Sequence, residues 1–404
     1  MTTLASAKLG DIAQYLRGIN FKPDDVKAVG TAGTVACMRT KNIQDSLDCS
    51  DVWGVAETFV RRPEQILQEG DMLVSSANSW NLVGKCCWIP NLPWKTTFGG
   101  FVSALRANPE RVNPRFLYWW FSSDRTQALL RSFGRKTTSI SNLSAEQCLN
   151  LSVPLPPLPE QRRIAAILDQ ADALRAKRRE ALAQLDSLTP SIFIEMFGDP
   201  ATNPKAWPKL PLNELMDEKG PQNGLYKPST DYGTGTPILR IDAFYDGVVT
   251  KLDSLKRVRL SASELSLYGL RTEDIVINRV NSIEYLGKSA LIPKLNEHTV
   301  FESNMMRFAV RRNVVEPGYV VQFLQTKFIK SQIMSCSKNA VNQSSINQQD
   351  VKGFLVNVPP LTLQQTFAAR IQAVETLKAT HHVALAELDT LFASLQHRAF
   401  AGEL

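Results

Sequence analysis

The amino-acid sequence contains an internal repeat with a period of about half its length. Residues 71–90 align without gaps on residues 274–293, at an offset of 203, with seven of 20 positions identical. At the same offset, residues 156–197 align on residues 359–400, with 16 of 42 positions identical. Two blocks that share one offset define a tandem repeat, and a repeat of this kind determines how the whole fold is interpreted.

Each half consists of a variable globular block, a proline-rich hinge and a long segment with helical periodicity. The predicted domains are a block at 1–155, a helix at 156–200, a second block at 201–358 and a second helix at 359–404. The blocks mix short apolar runs typical of strands with helical stretches such as 114–131, so each is predicted to be α+β. A chain of 404 residues is long enough for two such cores.

In both long segments, apolar residues recur at alternating spacings of three and four, which is the pattern of a coiled-coil seam. The alternative is that the segments are unrelated core helices, but their shared register favours packing on each other. Pro190 is predicted to break or kink the first helix, which leaves a rod over 159–189 of roughly 45 Å. The predicted seam residues are Ile164, Ile167, Ala171, Leu174, Arg178, Ala181, Leu185, Leu188 and Ile192, with Phe367, Arg370, Val374, Leu377, His381, Ala384, Leu388, Leu391 and Leu395.

The net charge of +7 is concentrated in the two globular blocks. Residues 1–155 contain 17 Lys/Arg and 13 Asp/Glu, and residues 201–358 contain 20 and 15, whereas both long segments are slightly acidic. Two separate basic blocks favour a polyanionic partner. A solvated basic surface without any partner is the alternative.

Other sequence signals exclude several classes. No uncharged apolar run approaches the ~18 residues of a membrane span, and the first residues do not resemble a signal peptide, so a cytoplasmic protein is expected. The six cysteines show no CxxC spacing, which argues against a metal site and a disulfide framework.

The motifs of catalysis are also missing. Gly287-Lys288-Ser289 resembles the end of a phosphate-binding loop, but position 282 is Ser where that loop requires Gly. The sequence contains no GxGxxG before a helix, no GxSxG, no HExxH and no Asn/Asp-Pro-Pro-aromatic step of an adenine methyltransferase. The chain is therefore predicted to be non-catalytic and to bind no cofactor or metal of its own.

Several strings together resemble the specificity subunit of type I restriction-modification systems. The hinges read LPPLPEQRRIAAILDQAD at 155–172 and VPPLTLQQTFAARIQAVE at 358–375, each running into a long helix. Further matches are Gly-Leu-Tyr-Lys-Pro at 224–228, Pro-Ile-Leu-Arg-Ile at 237–241 and Phe-Ala-Gly-Glu-Leu at 400–404. The resemblance covers essentially the whole chain.

The resemblance implies a DNA-reading subunit used in phage defence. Two target recognition domains in a pseudo-two-fold repeat would each read one half of a split, asymmetric DNA site, and two long antiparallel helices would fix the gap between the halves. Two methylation subunits, which carry the S-adenosylmethionine, would dock on this frame, and two motor-nuclease subunits could join them. A rod of ~45 Å can separate two heads by more than the ~34–36 Å between successive major-groove faces.

Two other functions remain open from the sequence. One is a nucleic-acid-binding coiled-coil scaffold without sequence specificity, which binding to random and selected DNA would distinguish. The other is a fused enzyme with an unrecognised site, which methyl transfer by the isolated chain would reveal.

Short polar loops that mix base-reading and phosphate-binding side chains are the candidate DNA contacts. The best pair of loops precedes the two hinges and contains almost no acidic residue. For each residue, a solvated surface position is the alternative. The candidates are Arg131, Arg135, Lys136, Thr137, Ser139, Lys338, Asn339, Asn342, Gln343 and Ser344, then Asn78, Trp80, Arg279 and Asn281, and finally Lys22, Tyr226 and Lys227.

Overall fold

The computed structural model describes residues 5–133, 135–136, 140–339 and 343–404. The chain divides into two compact units. The first comprises Met1–Glu180 and His382–Leu404, and the second comprises Ala181–His381. Each unit therefore contains one globular block and parts of both long helices.

The globular block of the first unit mixes short strands with short helices. Its helices are α1 (Leu9–Ile12), α2 (Pro114–Phe121), α3 (Asp124–Ser132) and α4 (Ala145–Leu149). Its strands are β1 (Ser6–Lys8), β2 (Ala13–Arg17), β3 (Lys27–Ala28), β4 (Thr34–Met38), β5 (Trp53–Ala56), β6 (Met72–Ser75), β7 (Ala77–Asn78), β8 (Cys86–Trp88), β9 (Thr96–Phe98), β10 (Val102–Ala107), β11 (Arg135–Lys136), β12 (Ser141–Asn142) and β13 (Ser152–Pro154).

These strands form four sheets. An antiparallel sheet has the order β2-β10-β6-β8, and a second has the order β3-β5-β4-β9, in which β4 and β9 are parallel. A small sheet has the order β11-β12-β7, and β1 pairs with β13 beside the hinge. Strand β6 is buried at all four positions, which explains why three of its four residues are apolar.

The long helix α5 (Leu158–Phe197) follows the first block, and the second block follows that helix. The helices of the second block are α6 (Ala262–Tyr268), α7 (Pro317–Leu324), α8 (Lys327–Cys336) and α9 (Gln348–Gly353). The last helix, α10 (Leu361–Ala401), follows this block. The strands of the second block are β14 (Lys209–Pro211), β15 (Gln222–Asn223), β16 (Tyr232–Leu239), β17 (Phe244–Tyr245), β18 (Gly247–Val249), β19 (Lys256–Val258), β20 (Ile275–Asn278), β21 (Val280–Asn281), β22 (Ser289–Leu291), β23 (Val300–Phe301), β24 (Met305–Phe308), β25 (Lys338–Asn339), β26 (Ser344–Ser345) and β27 (Leu355–Asn357).

The second block repeats the plan of the first. The order β15-β24-β20-β22 matches β2-β10-β6-β8, although here the sheet continues into β18 and β17. The small sheet β21-β26-β25 matches β7-β12-β11, and β14-β27 matches β1-β13. The repeat in the sequence is therefore a repeat of structure, and the α+β class predicted for both blocks is confirmed.

The two long helices run antiparallel within each unit. In the first unit, Arg163 in the second turn of α5 donates to the Leu404 carbonyl just past the end of α10 over 2.8 Å. Arg175, further along α5, donates to Asp389, further back on α10, with 2.6 Å between Nε and Oδ1. In the second unit, Lys378 and Asp186 form an ion pair of 2.8 Å, and the rings of Phe193 and Phe367 lie 5.5 Å apart. The predicted pairing of the helices is confirmed.

One row of the buried stripe differs from the predicted one. The predicted residues that lie 40–50% exposed are Leu174, Leu188, Leu377 and Leu391. The predicted residues that are buried are Ile164, Ala171, Leu185 and Phe367, and the half-buried ones include Ile167, Val374 and Leu388. The second covered row runs one residue later, through Leu168, Arg175, Leu182, Ile371, Lys378 and Phe392.

The shift arises because the helices pack on a globular core as well as on each other. In the first unit, Leu168 and Phe392 belong to the same apolar cluster as Phe116 of α2. The ring of Phe392 also lies 5.3 Å from that of Trp119. The buried face of each helix therefore packs on both the other long helix and the globular block. The predicted leucines lie outside this buried face and remain exposed.

Pro190 was expected to break or kink the first long helix. The prediction that the helix stops before Pro190 was wrong, because α5 continues through Pro190 to Phe197. A proline inside a helix costs about 3 kcal/mol. Beyond it, Phe193, Met196 and Phe197 are buried in the core of the second unit. Burial of three such side chains contributes about 1.5–3 kcal/mol each, which outweighs the cost of the proline.

Among the described residues, no helix combines the length and the apolar character that crossing a membrane requires.

Candidate nucleic-acid interface

In each half, a small three-stranded sheet gathers candidate residues that are far apart in the sequence. In the first half, Asn78 of β7 lies opposite Ser141 of β12, which lies opposite Lys136 of β11. The next row places Ala77 beside Asn142 and Arg135. The loop before the first hinge and the loop after β6 therefore form one surface, which we call the first reading sheet (β11-β12-β7).

The second half builds the same surface from the equivalent segments. Asn281 of β21 lies opposite Ser344 of β26, which lies opposite Asn339 of β25. In the next row, Val280, Ser345 and Lys338 are neighbours. This second reading sheet (β21-β26-β25) brings Asn281 together with Lys338, Asn339 and Ser344 of the loop before the second hinge. The side chain of Ser344 is buried, which argues against a direct contact between it and DNA.

The strands leave both reading sheets through the same turn. The Ser79 N–H donates to Asn78 Oδ1 over 2.8 Å, and the Ser282 N–H donates to Asn281 Oδ1 over 2.8 Å. An asparagine that accepts from the next residue in this way holds the start of a turn and still has its amide NH₂ group. In the first half that group donates to Ser75 Oγ over 3.0 Å.

The loop after β21 of the second reading sheet is held by hydrogen bonds from a lysine of α8. Lys330 of α8 donates to the carbonyl oxygens of Ile283 and Glu284 over 2.5 and 2.9 Å. Burial lowers the pKa of this lysine. The ammonium group of Lys330 therefore holds the loop, a role that no sequence motif indicates.

The remaining candidates differ in how exposed their side chains are and in the hydrogen bonds that they already make. Lys338 and Gln343 are exposed, Trp80 is 48% exposed and Tyr226 is 77% exposed. Arg279 donates to the Ser303 carbonyl over 3.2 Å, so one end of its guanidinium is already bound. Arg131 is half-buried in the last turn of α3, and Lys22 is exposed before a short 3₁₀ turn. Thr137, Ser139 and Asn342 lie outside the described residues.

Lys227 is held by acids of its own half. Its ammonium lies 2.8 Å from Glu264 Oε1 and 3.6 Å from Asp231 Oδ2. The hydrogen bond from Lys227 is the main cause that lowers the pKa of Glu264 to about 2. A phosphate would have to displace these carboxylates to bind this lysine.

The Gly287-Lys288-Ser289 string forms a turn between β21 and β22, where Gly287 has a φ of 79°. Lys288 donates to the Ile241 carbonyl over 2.6 Å and lies 3.8 Å from the centre of the Tyr245 ring. Burial lowers its pKa to about 8. This lysine faces inward onto aromatic rings, which is unlike the lysine of a phosphate-binding loop.

The described residues contain no cluster of three or more His, Cys, Asp or Glu that could hold a metal ion. The charges at the reading sheets are instead suited to an anion, because residues 131–142 contain two Arg and one Lys, residues 336–347 contain one Lys, and neither stretch contains Asp or Glu. Asparagine, glutamine and arginine in such a setting can donate and accept at base edges, while lysine and backbone amides suit phosphates.

Comparisons with known proteins agree on one family. Residues 2–184 match the model of the type I restriction modification DNA specificity domain. The chain is 26% identical to the type I restriction enzyme EcoKI specificity subunit of Escherichia coli K12, over 98% of this chain and 88% of that protein. It is 23% identical to the StySPI specificity subunit of Salmonella potsdam, over 99% of this chain and 89% of that protein.

Solved structures show the same fold over the full length. The crystal structure of a type I restriction-modification S subunit from M. genitalium has a TM-score of 0.61 at 13% identity, covering 99% of this chain and 97% of that one. A chain from a structural study of the assembly of the type I R-M system has a TM-score of 0.56 at 19% identity, covering 100% and 99%. Residues 2–184 therefore carry a type I restriction modification DNA specificity domain, and the chain as a whole is similar in sequence and in fold to type I restriction-modification specificity subunits.

Proposed function

We propose that this chain is the DNA-sequence recognition subunit of a type I restriction-modification complex and that each half reads one part of a split, asymmetric target. The observation that carries the proposal is the pair of reading sheets. Each is built from equivalent segments, each carries an exposed polar residue (Asn142 and Lys338), and each lies in an acid-free stretch of a basic block. The blocks at 1–155 and 201–358 would then be the two target recognition domains.

In this proposal the candidate residues of the two halves have two kinds of role. Lysines such as Lys136 and Lys338 would bind phosphates and position the protein on the duplex. Arg135, Asn342 and Gln343, with Asn78 and Asn281, would contact base edges, because their side chains can donate two hydrogen bonds or combine a donor with an acceptor. Trp80 and Tyr226 would add contacts from exposed rings.

The two long helices would fix the gap between the two parts of the target. Helices α5 and α10 contain 40 and 41 residues. Their pairing is held by specific polar contacts, among them Arg175 with Asp389 and Lys378 with Asp186. Charged residues in a helix seam fix the register of the pair, and a fixed register gives a defined gap.

Two methylation subunits would supply the S-adenosylmethionine and the chemistry, and motor-nuclease subunits could join them, so that this chain acts without being an enzyme itself. The exposed leucines of the helix pair support such docking. Leu174 and Leu391 lie in the first unit, and Leu188 and Leu377, which are equivalent to them in the repeat, lie in the second. Two exposed leucines at equivalent positions in each unit suit two copies of one partner.

The test is a binding selection from a pool of random duplexes with the purified chain and its methylation subunits. The proposal predicts enrichment of one split, asymmetric motif with a constant gap. Equal retention of all duplexes would instead support a scaffold that binds DNA without specificity. Turnover of S-adenosylmethionine by the chain alone, shown to be free of partner subunits, would contradict the non-catalytic role.

A further inference from the structure

A tight turn presents an aromatic ring next to the first reading sheet. The turn joins β9 to β10, and the Val102 N–H closes it by donating to the Gly99 carbonyl over 2.9 Å. The Phe101 carbonyl accepts from the Ser76 and Ala77 N–H groups over 3.0 and 3.1 Å. Because Ala77 begins β7, these two bonds fix Phe101 beside the strand that carries the candidate residue Asn78.

The ring of Phe101 is directed to solvent from a rigid position. It is 65% exposed, more than any other large apolar side chain among the described residues of the first unit. A Cβ added at Gly100 would lie 2.3 Å from Asn20 Oδ1, and one added at Gly18 would lie 2.2 Å from the Gly99 carbonyl oxygen, so the backbone here is closely packed. A ring held in this way loses little conformational entropy when it binds a partner.

The second half contains the same turn with a different side chain. The Met305 N–H donates to the Glu302 carbonyl over 3.1 Å. The Asn304 carbonyl accepts from the Arg279 and Val280 N–H groups over 2.8 and 3.3 Å, and Val280 begins β21. Asn304 therefore stands 203 residues after Phe101 and makes the same backbone contacts beside the second reading sheet.

Single exposed apolar residues are common on protein surfaces and need no special role. Three observations distinguish Phe101 from such residues. Backbone hydrogen bonds hold its own carbonyl and the neighbouring Val102 N–H, and the residue adjoins the first reading sheet. Its equivalent in the second half, Asn304, is a polar residue that would bind bases in a different way. Asparagine can make two hydrogen bonds to the edge of adenine, whereas phenylalanine can contact the methyl group of thymine or insert between bases.

We propose that the turn residue of each half is a base-contacting residue, with Phe101 making an apolar contact to a base in one half-site and Asn304 hydrogen-bonding a base edge in the other. This inference rests on the proposed DNA-reading function. It implies that the two halves recognise DNA through different chemistry at the same place in the fold.

The test uses the full chain in complex with its methylation subunits and a pool of random duplexes. For Phe101→Ala, we expect the preference for one base pair in one half-site to fall about tenfold, with the other half-site and the affinity for scrambled DNA unchanged. Phe101→Leu should retain most of the preference because it remains apolar. Asn304→Ala is the matched control and should relax one position in the other half-site only.

Folding is not expected to confound this test, since an exposed ring contributes little to the core, and equal melting temperatures would verify this. If the selected position is an A·T pair, deoxyuracil in place of thymine should weaken wild type and not Phe101→Ala where the methyl group is the contact. If the ring inserts between bases, uracil should have no effect while Phe101→Ala still loses the preference.

Two results would overturn the inference while leaving the DNA-reading function intact. One is a Phe101→Ala variant that selects the wild-type motif with wild-type affinity. The other is an equal loss of affinity on the selected and the scrambled duplex, which would mean that Phe101 positions the protein without reading a base. Failure of the wild type to select any motif would instead count against the DNA-reading function itself.

Discussion

Gln161 and Gln364 stand 203 residues apart and make the same two hydrogen bonds, each within its own half. Gln161 Oε1 accepts from the Asn113 N–H over 2.7 Å, and Gln364 Oε1 accepts from the Glu316 N–H over 2.9 Å. Each amide group also donates to a hinge proline carbonyl over 2.7 Å. Asn113 and Glu316 are the N-caps of α2 and α7, so each glutamine joins the start of a long helix to its own block.

Replacing Gln161 with Ala should destabilise the first half by about 2–4 kcal/mol. The substitution leaves a buried N–H group and a buried carbonyl without partners, and each unsatisfied group costs about 1–3 kcal/mol. Gln364→Ala should have a similar effect on the second half. Chemical unfolding followed by circular dichroism measures both. Gln170→Ala, at an exposed position of α5, is the control, and an equal loss there would argue against the bridging role.

A second repeated contact is the ion pair between adjacent strands. Arg106 binds Asp71 with 2.8 and 2.7 Å between paired atoms, and Arg307 lies 3.0 Å from Asp274 in the other half. Arg106→Ala should cost about 3–5 kcal/mol, because it leaves the Asp71 carboxylate buried without its cation. Arg163→Ala, which removes a surface ion pair, should cost less than about 1 kcal/mol. Similar losses for the two variants would contradict this account.

The repeat could be predicted from the sequence because the elements that define it kept their spacing. The hinge prolines and the glutamines after them sit at a constant offset of 203, and their structural roles in the two halves are the same. The helices could also be predicted, since their apolar period extends over about four heptads.

The covered face of the helices could not be predicted fully because apolarity alone does not define it. Arg175 and Lys378 lie in the covered row, where their charges are matched by Asp389 and Asp186. The neighbouring leucines, such as Leu174, fit the apolar period better but remain exposed. The hydrophobic period therefore predicts that the leucines are buried. In the structure, packing against the globular block covers the row that contains Arg175 and Lys378 instead.

The reading sheets were only partly predictable for a different reason. Their strands contain two residues each, which is too short to give a periodic signal, so their pairing was invisible in the sequence. Phe101 was missed as well, because a ring after two glycines indicates a turn and says nothing about what lies next to it.

Separating phosphate contacts from base contacts is possible in the second half, where Lys338 of β25 and Gln343, the residue before β26, are exposed. Lys338→Ala should weaken binding to all duplexes and reduce the slope of log K against log salt by about 0.9. Gln343→Ala should cost roughly 1–3 kcal/mol on the selected duplex and much less on a scrambled one. Titrations at several salt concentrations measure both, with Lys177→Ala on α5 as the charge control. Equal losses on both duplexes for Gln343→Ala would assign it to phosphate binding.

The role of the helices as a spacer is tested by an insertion. Four residues of helical propensity inserted after Ala181 in α5 should lengthen the gap in the selected motif or abolish binding, because they add about 6 Å to one helix. The same four residues inserted after Gly198, just past the end of α5, should leave the gap unchanged. An unchanged gap and affinity for the first insertion would mean that the helices do not set the spacing.

An exchange of blocks tests whether the two halves read separate parts of one target. Residues 1–155 are replaced by the first block of another specificity subunit, and methylated adenines are mapped in cells that also carry the methylation subunit. We expect one part of the methylated motif to change while the other part and the gap stay the same. A change in both parts of the motif would contradict this expectation.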